Sequence, residues 1–324
     1  MIRSQYRPGS NQRRCGRPLC TLILALALSL PLRILGQSSA PQPSADSLNF
    51  LVISDWGAKG STTQVAVAKQ MARTAESQKS GFVLTCGDNY HGSGIDKADS
   101  PRWKTEYEDI YAAPSLMIPW YPSLGNHDHR GKVQAEIEYS NKNPRWKLPA
   151  HYYAHTERID SLNEALFVHL DTSPFVAAYH KKGSSYRVQG LDPRRQLRWL
   201  ESTLSQSRAR WKIVLGHHPI YSSAPGHGDT KELIAEVLPV LQKQGVAMYF
   251  CGHDHVLEHL ADGGISFFVC GGGSSHRTVN QRPDVRFSAA SAGFLSVTLK
   301  ATAAEARFIS EKGTELYTAS IPAP

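Results

Sequence analysis

The chain has 324 residues, enough for one large domain or two modest ones, and its 41% hydrophobic and 20% charged residues are those of an ordinary globular protein. Its net charge of +8 points toward nucleic acid or an anionic membrane only until the arginines are located. Six of the 36 basic residues (Arg3, Arg7, Arg13, Arg14, Arg17 and Arg33) fall in positions 1–36, which hold no acidic residue, so the rest carries 30 basic against 28 acidic groups, a charge of +2 that disfavours a nucleic-acid binder.

Residues 1–36 read as a secretory signal. An arginine-rich start leads into the apolar run Leu19–Leu30, followed by proline, glycine, serine and alanine. Its twelve residues fall short of the roughly 20 that span a bilayer. Cleavage near Gly36 is expected, giving a secreted or periplasmic protein with no stable membrane span; the alternative is an uncleaved anchor. Positions 37–47 form a Ser, Pro and Gln linker, and 48–324 are expected to form the catalytic domain.

Strand-like and helix-like runs then alternate. LNFLVISD reads as a buried strand and TTQVAVAKQMARTAESQ as a helix with an apolar stripe. FVLTC is the next strand, WKTEYEDIYA a short helix, WYPSLG a strand end and ALFVHLD a strand. Asp192-Pro193 caps the helix RRQLRWLESTLSQ, with aspartate at the N-cap and proline in the first turn. WKIVLG, the helix TKELIAEVLPVLQKQ and the strand VAMYFCG follow, and short strands with glycine turns run from Leu257 to the end. This order predicts an α/β protein with sheets covered by helices and a more antiparallel second sheet. Cys86, Cys251 and Cys270 each end an apolar run and read as buried thiols, with a Cys86–Cys251 bridge as the alternative.

Five strand ends release polar residues: Asp55-Trp56-Gly57, Gly87-Asp88-Asn89-Tyr90-His91, Gly125-Asn126-His127-Asp128, Gly216-His217-His218-Pro219 and Gly252-His253-Asp254-His255. Binding sites of parallel α/β sheets lie outside the carboxyl ends of strands, so these loops are expected to converge. Each alone is ordinary turn chemistry. His253 and His255, two apart on extended backbone, point the same way, which suits a metal ion beside both. Together the loops offer two carboxylates, an asparagine carbonyl and several imidazoles without thiolate, a donor set for zinc, manganese or iron. It exceeds the needs of one ion with open positions. Two ions sharing a carboxylate are the natural arrangement, and such pairs activate water for displacement at phosphorus.

The order DxG, GDNxx, GNHD, VxGH and GHDH resembles the calcineurin-like metallophosphoesterases, and more closely the small, tartrate-resistant type of purple acid phosphatase. The likeness extends to GNHDHRGKVQAEIEYSNKNPRWKLPAHYY and FCGHDHVLEHL and covers most of residues 48–300. The resemblance implies a four-layer αββα sandwich of two mixed sheets flanked by helices. It also implies two metal ions. One would take Asp55, Asp88, the residue three after Asp88, and His255; the other would take Asp88 as bridge, Asn126, His217 and His253. His127 would bind phosphate and help protonate the leaving alkoxide. His227, in APGHGD, falls near a second histidine of the family, offset by a one-residue insertion.

One position departs from the family. Purple relatives carry a tyrosine three residues after the bridging aspartate, whose phenolate binds ferric iron and gives their colour. Here that position is His91, a neutral donor that favours two divalent ions (Fe, Zn or Mn). The competing reading slips the loop by one residue and uses Tyr90 instead. His218 beside a ligand is a candidate substrate contact. His129 reads as loop surface, His151 as structural or exposed, Asp128 and Asp254 as turn-fixing, and Trp56 as either a roof over the site or simple packing.

The expected activity is hydrolysis of small phosphate monoesters by metal-activated hydroxide, acid phosphatase-like. The rivals are a phosphodiesterase or nucleotide pyrophosphatase on the same metals, and a catalytically silent secreted binding protein. The sequence specifies no oligomeric state.

Overall fold

The computed structural model describes residues 46–324. The expected signal, 1–36, and all but the last two residues of the linker lie outside the described residues. The strands are β1 (Leu48–Ile53), β2 (Phe82–Cys86), β3 (Trp120–Ser123), β4 (Tyr153–Arg158), β5 (Glu164–His169), β6 (Trp211–Leu215), β7 (Met248–Cys251), β8 (Leu257–Asp262), β9 (Ile265–Cys270), β10 (Val285–Ala289), β11 (Gly293–Leu299), β12 (Ala303–Ser310) and β13 (Glu315–Pro322). They form two mixed sheets. The first, of six strands, runs β13-β12-β11-β1-β2-β3; the second, of seven, runs β10-β8-β9-β7-β6-β5-β4. The parallel pairs are β1–β2 and β2–β3 in the first sheet and β5–β6, β6–β7 and β7–β9 in the second.

Three apolar clusters define four layers. Phe50, Val52 and Leu84 of the first sheet meet Phe167, Ile213 and Phe250 of the second, making the inter-sheet core. The opposite face of the first sheet, with Leu51 and Val83, packs on helix α1 (Thr62–Gln78) through Val67, Ala68, Met71 and Ala75. The outer face of the second, with Val168, Val214 and Tyr249, packs on α3 (Pro193–Gln206), α4 (Lys231–Glu236) and α5 (Leu238–Lys243). A strand buried on both faces needs no polar alternation, which is why β2 reads as a run that is apolar except for Thr85.

Local chemistry sets the helix ends. Ser61 accepts from Gln64 N–H to start α1, and Asp192 accepts from Arg194 N–H at 2.9 Å to start α3. The single helix expected over TKELIAEVLPVLQKQ is two, α4 and α5, split at Val237. Pro239 has no N–H to give, and its ring crowds the preceding turn. The expected WKTEYEDIYA helix shrinks to one wide turn, Lys104–Glu108. Strand β4 and the short helix α2 (Val133–Tyr139) had no counterpart in the sequence reading. The three cysteines are buried and free.

Candidate metal centre

The five polar loops leave the carboxyl ends of β1, β2 and β3 in one sheet and of β6 and β7 in the other. Inter-sheet hydrogen bonds join them there: the backbone N–H of His253 donates to Asp55 Oδ2 at 2.9 Å, and His217 Nδ1 meets the carbonyl of Cys86 at 2.9 Å. The approach is so close that two positions demand glycine. A Cβ on Gly125 would sit 2.2 Å from the Asp88 nitrogen, and one on Gly252 would sit 2.0 Å from Ser54 Oγ. Asp55, Asp88 and His253 also hold left-handed backbone, with φ of 57°, 48° and 68°, so the extended run expected from His253 to His255 does not form: His253 turns to His217 and His255 to Asp55. Such conformations cost a side-chain-bearing residue about 1–3 kcal/mol each and persist only when the surroundings fix them.

The loops bring seven side chains together. Asp55 Oδ1 lies 3.4 Å from His255 Nε2 and 3.8 Å from His91 Nε2. Asp88 reaches both ways, Oδ2 lying 3.4 Å from His91 Nε2 and Oδ1 3.4 Å from His217 Nε2. His217 Nε2 is also 2.9 Å from Asn126 Oδ1 and 3.2 Å from His253 Nδ1. Asp55, Asp88, Asn126 and His217 are almost wholly buried, and His91 keeps about a quarter of its side chain exposed. Asp88 therefore stands between two groups of donors.

Without a cation this arrangement is electrostatically unsatisfied. Burial and the neighbouring Asp55 charge push Asp88 well above the carboxylate range. Burial opposes ionisation of Asp55 too, yet His255 and His91 hold it low. Burial lowers His217 to about 4, so its imidazole is neutral, and with Nδ1 donating to Cys86 its bare Nε2 faces the Asn126 oxygen. Two lone pairs at 2.9 Å repel unless a cation lies between or beside them. Asp55 Oδ1 and His91 Nε2 are buried with no hydrogen-bond partner. Buried polar atoms are rarely left so, and oxygen and nitrogen donors in this number fit divalent metal ions.

His127 touches the cluster differently. Its backbone N–H donates to Asp88 Oδ1 at 2.8 Å, its ring stacks on His91 with centroids 4.2 Å apart, and Nε2 lies 3.8 Å from Asp88 Oδ2. Nδ1 is held by Gly92, 3.0 Å from its N–H and 3.1 Å from its carbonyl. Burial, then His91, lowers the ring to about 4. His227 is exposed at the rim, its ring 4.1 Å from that of His253.

Tyr90 is nowhere near these donors. It is fully buried on the far side of its loop, edge-on to Trp103 at 4.8 Å and beside Trp56 at 6.0 Å. Trp56 is itself enclosed by Trp120, Tyr107 and Tyr111, so it packs and does not roof the site. Asp128 holds the loops as expected, accepting from Gly125 N–H at 2.8 Å and Tyr90 N–H at 3.0 Å. His218 is buried with both nitrogens engaged, by Thr172 Oγ1 at 2.8 Å and Tyr179 Oη at 3.0 Å, leaving neither for substrate. His129 is not on the surface: it is 1% exposed and ion-paired to Asp171. Asp171 and Thr172, just after β5, have a functional place that the motifs do not mark, although LDT also follows a strand and turns polar. Thr172 Oγ1 accepts from the backbone N–H of His217 at 3.1 Å and so positions that loop.

Residues 48–257 match the calcineurin-like phosphoesterase family. The chain is 37% identical to purple acid phosphatase 4 of Arabidopsis thaliana over 92% of its own length and 90% of the relative's. It is 32% identical to tartrate-resistant acid phosphatase type 5 of Mus musculus, over 90% and 94% of the two chains. Among solved structures it is similar to GAP50, the anchor in the inner membrane complex of Plasmodium (TM-score 0.76, 26% identity, 86% and 89% covered). A purple acid phosphatase from yellow lupin (Lupinus luteus) shares the fold at TM-score 0.63 and 16% identity, over 85% of this chain and 54% of that one.

Proposed function

The chain belongs to the calcineurin-like phosphoesterase family, among its purple acid phosphatases, and from that premise we propose that it is an exported acid phosphatase acting on phosphate monoesters. It is a hydrolase of phosphoric ester bonds. The observation that carries the reading is the convergence of Asp55, Asp88, His91, Asn126, His217, His253 and His255 from five separate strand ends.

Asp55, Asp88, His91 and His255 would hold one metal ion, and Asp88, Asn126, His217 and His253 the second, both divalent, with iron, zinc and manganese as the candidates. When bound, such a pair neutralises phosphate oxygens and activates water as the nucleophile. The rest of the work falls to side chains. His127 presents Nε2 toward the cluster, placed to bind a phosphate oxygen. As the imidazolium, with Nδ1–H donating to the Gly92 carbonyl, it would give its Nε2 proton to the departing alkoxide and be left a neutral ring, a role confined to acid because burial lowers the ring to about 4. His227, exposed beside His253, would contact the substrate at the open side.

The likeness to an anchor protein names the silent alternative. The complete donor set here favours catalysis, since a silent relative has no use for three strained backbone positions or for orphaned ligand atoms. Two measurements test the reading: metal content of purified protein, and hydrolysis of a chromogenic phosphomonoester against its diester. At least two ions per chain, those of the paired centre, with a monoester preference are expected. A strong diester preference would transfer the assignment to the phosphodiesterase reading. Small phosphorylated molecules are the proposed partners. No helix among the described residues is long and apolar enough to cross a membrane. Export predicts a mature chain beginning near Gln37, and Met1-containing peptides in the exported protein would overturn it.

A further inference from the structure

Asp171, at the end of β5, is 1% exposed and lies between two histidines from different loops. Its Oδ2 is 2.9 Å from His129 Nε2 and 3.1 Å from His151 Nδ1, and its Oδ1 is likewise 2.9 Å from His129 Nε2. None of the three is among the seven donors of the paired centre. Gln196 fixes the carboxylate's backbone from both sides: its Oε1 accepts from Asp171 N–H at 2.9 Å and its Nε2 donates to the Asp171 carbonyl at 2.8 Å. A cavity of about 190 Å³ opens on His151 and Asp171, bordered also by Asp192, Gln196 and the cation Arg195.

We propose that Asp171, His129 and His151 form a separate site for a third divalent metal ion of the zinc, cobalt or nickel class. Two imidazoles and one carboxylate are the ligand set of mononuclear zinc sites that keep a position open for water. The donor atoms all lie within 4.8 Å of one another. Metal–donor bonds of about 2.0–2.1 Å at tetrahedral angles put neighbouring donors about 3.3 Å apart. The carboxylate–imidazole separations of 2.9 and 3.1 Å therefore need to widen by only a few tenths of an ångström. The larger adjustment falls on His151, whose side chain is 34% exposed. The cavity supplies room for the water that completes the shell.

The site differs from a plain buried ion pair by what His151 is for. An ion pair between His129 and Asp171 is complete without a second imidazole on the same oxygen. A metal site needs it. The loop carrying His129 is also the one carrying Asn126 and His127, and Asp171 adjoins Thr172, so an ion here would brace the paired centre from outside.

The test uses chelator-stripped, mature protein reloaded with Zn²⁺ or Co²⁺, freed of excess metal and analysed for metal per chain. Wild type should hold one ion more than His151→Ala. His217→Ala, altered only in the paired centre, should retain the extra ion. Co²⁺ loading should show a ligand-field component absent from His151→Ala. Equal metal content in wild type and His151→Ala overturns the proposal. So does an extra ion that survives both His151→Ala and Asp171→Asn. Because the readout is a difference of one ion between two proteins, it stands apart from how many ions the paired centre takes. If Asp171→Asn fails to fold, the comparison with His151→Ala decides alone.

Discussion

His127 and His217 both meet Asp88 but serve the centre through different atoms. His217 offers its ring nitrogen to the donor cluster, 3.4 Å from Asp88 and 2.9 Å from Asn126. His127 is tied to Asp88 by its backbone N–H, which an alanine keeps. His217→Ala should therefore lose one metal ion and all measurable turnover. His127→Ala should keep its metal and slow turnover by about 10²–10⁴, the usual contribution of a positioned acid. Metal content, circular dichroism and steady-state rates on both variants check this, and near-wild-type activity in either folded protein would sink the assignment. His91 carries a prediction of its own. An imidazole stands where purple relatives place a phenolate, while Tyr90 is locked in an aromatic cluster with Trp103 and Trp56. Iron-loaded wild type should lack the strong visible charge-transfer band, and His91→Tyr should acquire one. A band present in wild type, lost in Tyr90→Phe and kept in His91→Ala, would contradict this.

Elements matter here mainly through where they stop. The loops after β2 and β3 approach so closely that a Cβ on Gly125 would collide with Asp88 backbone at 2.2 Å and with Oδ1 at 2.3 Å. Backbone cannot swing aside as a long side chain can, so Gly125→Ala must displace Asp88. A displacement near 1 Å at a catalytic constellation costs about a hundredfold in rate, and turnover should fall at least that far while β2 and β3 stay folded. Gly81→Ala is the control: its Cβ would meet nothing closer than 3.8 Å, and its activity should not change. Equal rates in the two variants would refute the argument.

The same stops were what the sequence made legible. Strands β1, β2, β6 and β7 are apolar runs ended by glycine or aspartate, so both the element and the polar residue beyond it show in one dimension. Strand β4, YAHTER, was illegible because it lies at a sheet edge, with alternating partial exposure and no apolar run. His129 was misread for another reason: nothing within its loop marks it as buried, and its partner Asp171 lies 42 residues away in sequence. The ligands could be listed from the motifs. Which nitrogens are bare, and which aspartate holds two groups together, needed the folded geometry.

Across the whole molecule, several histidine rings are held neutral away from the paired centre. His155 is half-buried as a residue, but its ring nitrogens are enclosed. It stacks on Tyr121 with centroids 3.8 Å apart and on Phe167 at 5.1 Å, and both its nitrogens are buried without a partner. Burial alone lowers it from 6.5 to about 3. His169 is lowered well below its ordinary value and His259 to about 4, both chiefly by burial. Between pH 3 and 6.5 the unfolded chain binds a proton at residue 155 that the folded chain refuses. The unfolded state then holds more protons, so stability rises with pH across this window and falls as acid is added. The penalty is absent above the unfolded value and reaches about 2 kcal/mol at pH 5, at 1.36 kcal/mol for each pH unit below 6.5. His155→Phe keeps an aromatic ring in the stack and removes the proton site. Its melting temperature relative to wild type should climb by several degrees as pH falls from 7.5 to 5. The comparison across pH cancels any fixed packing cost of the larger ring. His169 and His259 remain, so the variant should still lose some stability in acid, only less steeply. A gap between variant and wild type that does not change with pH would show that residue 155 is not part of the acid response.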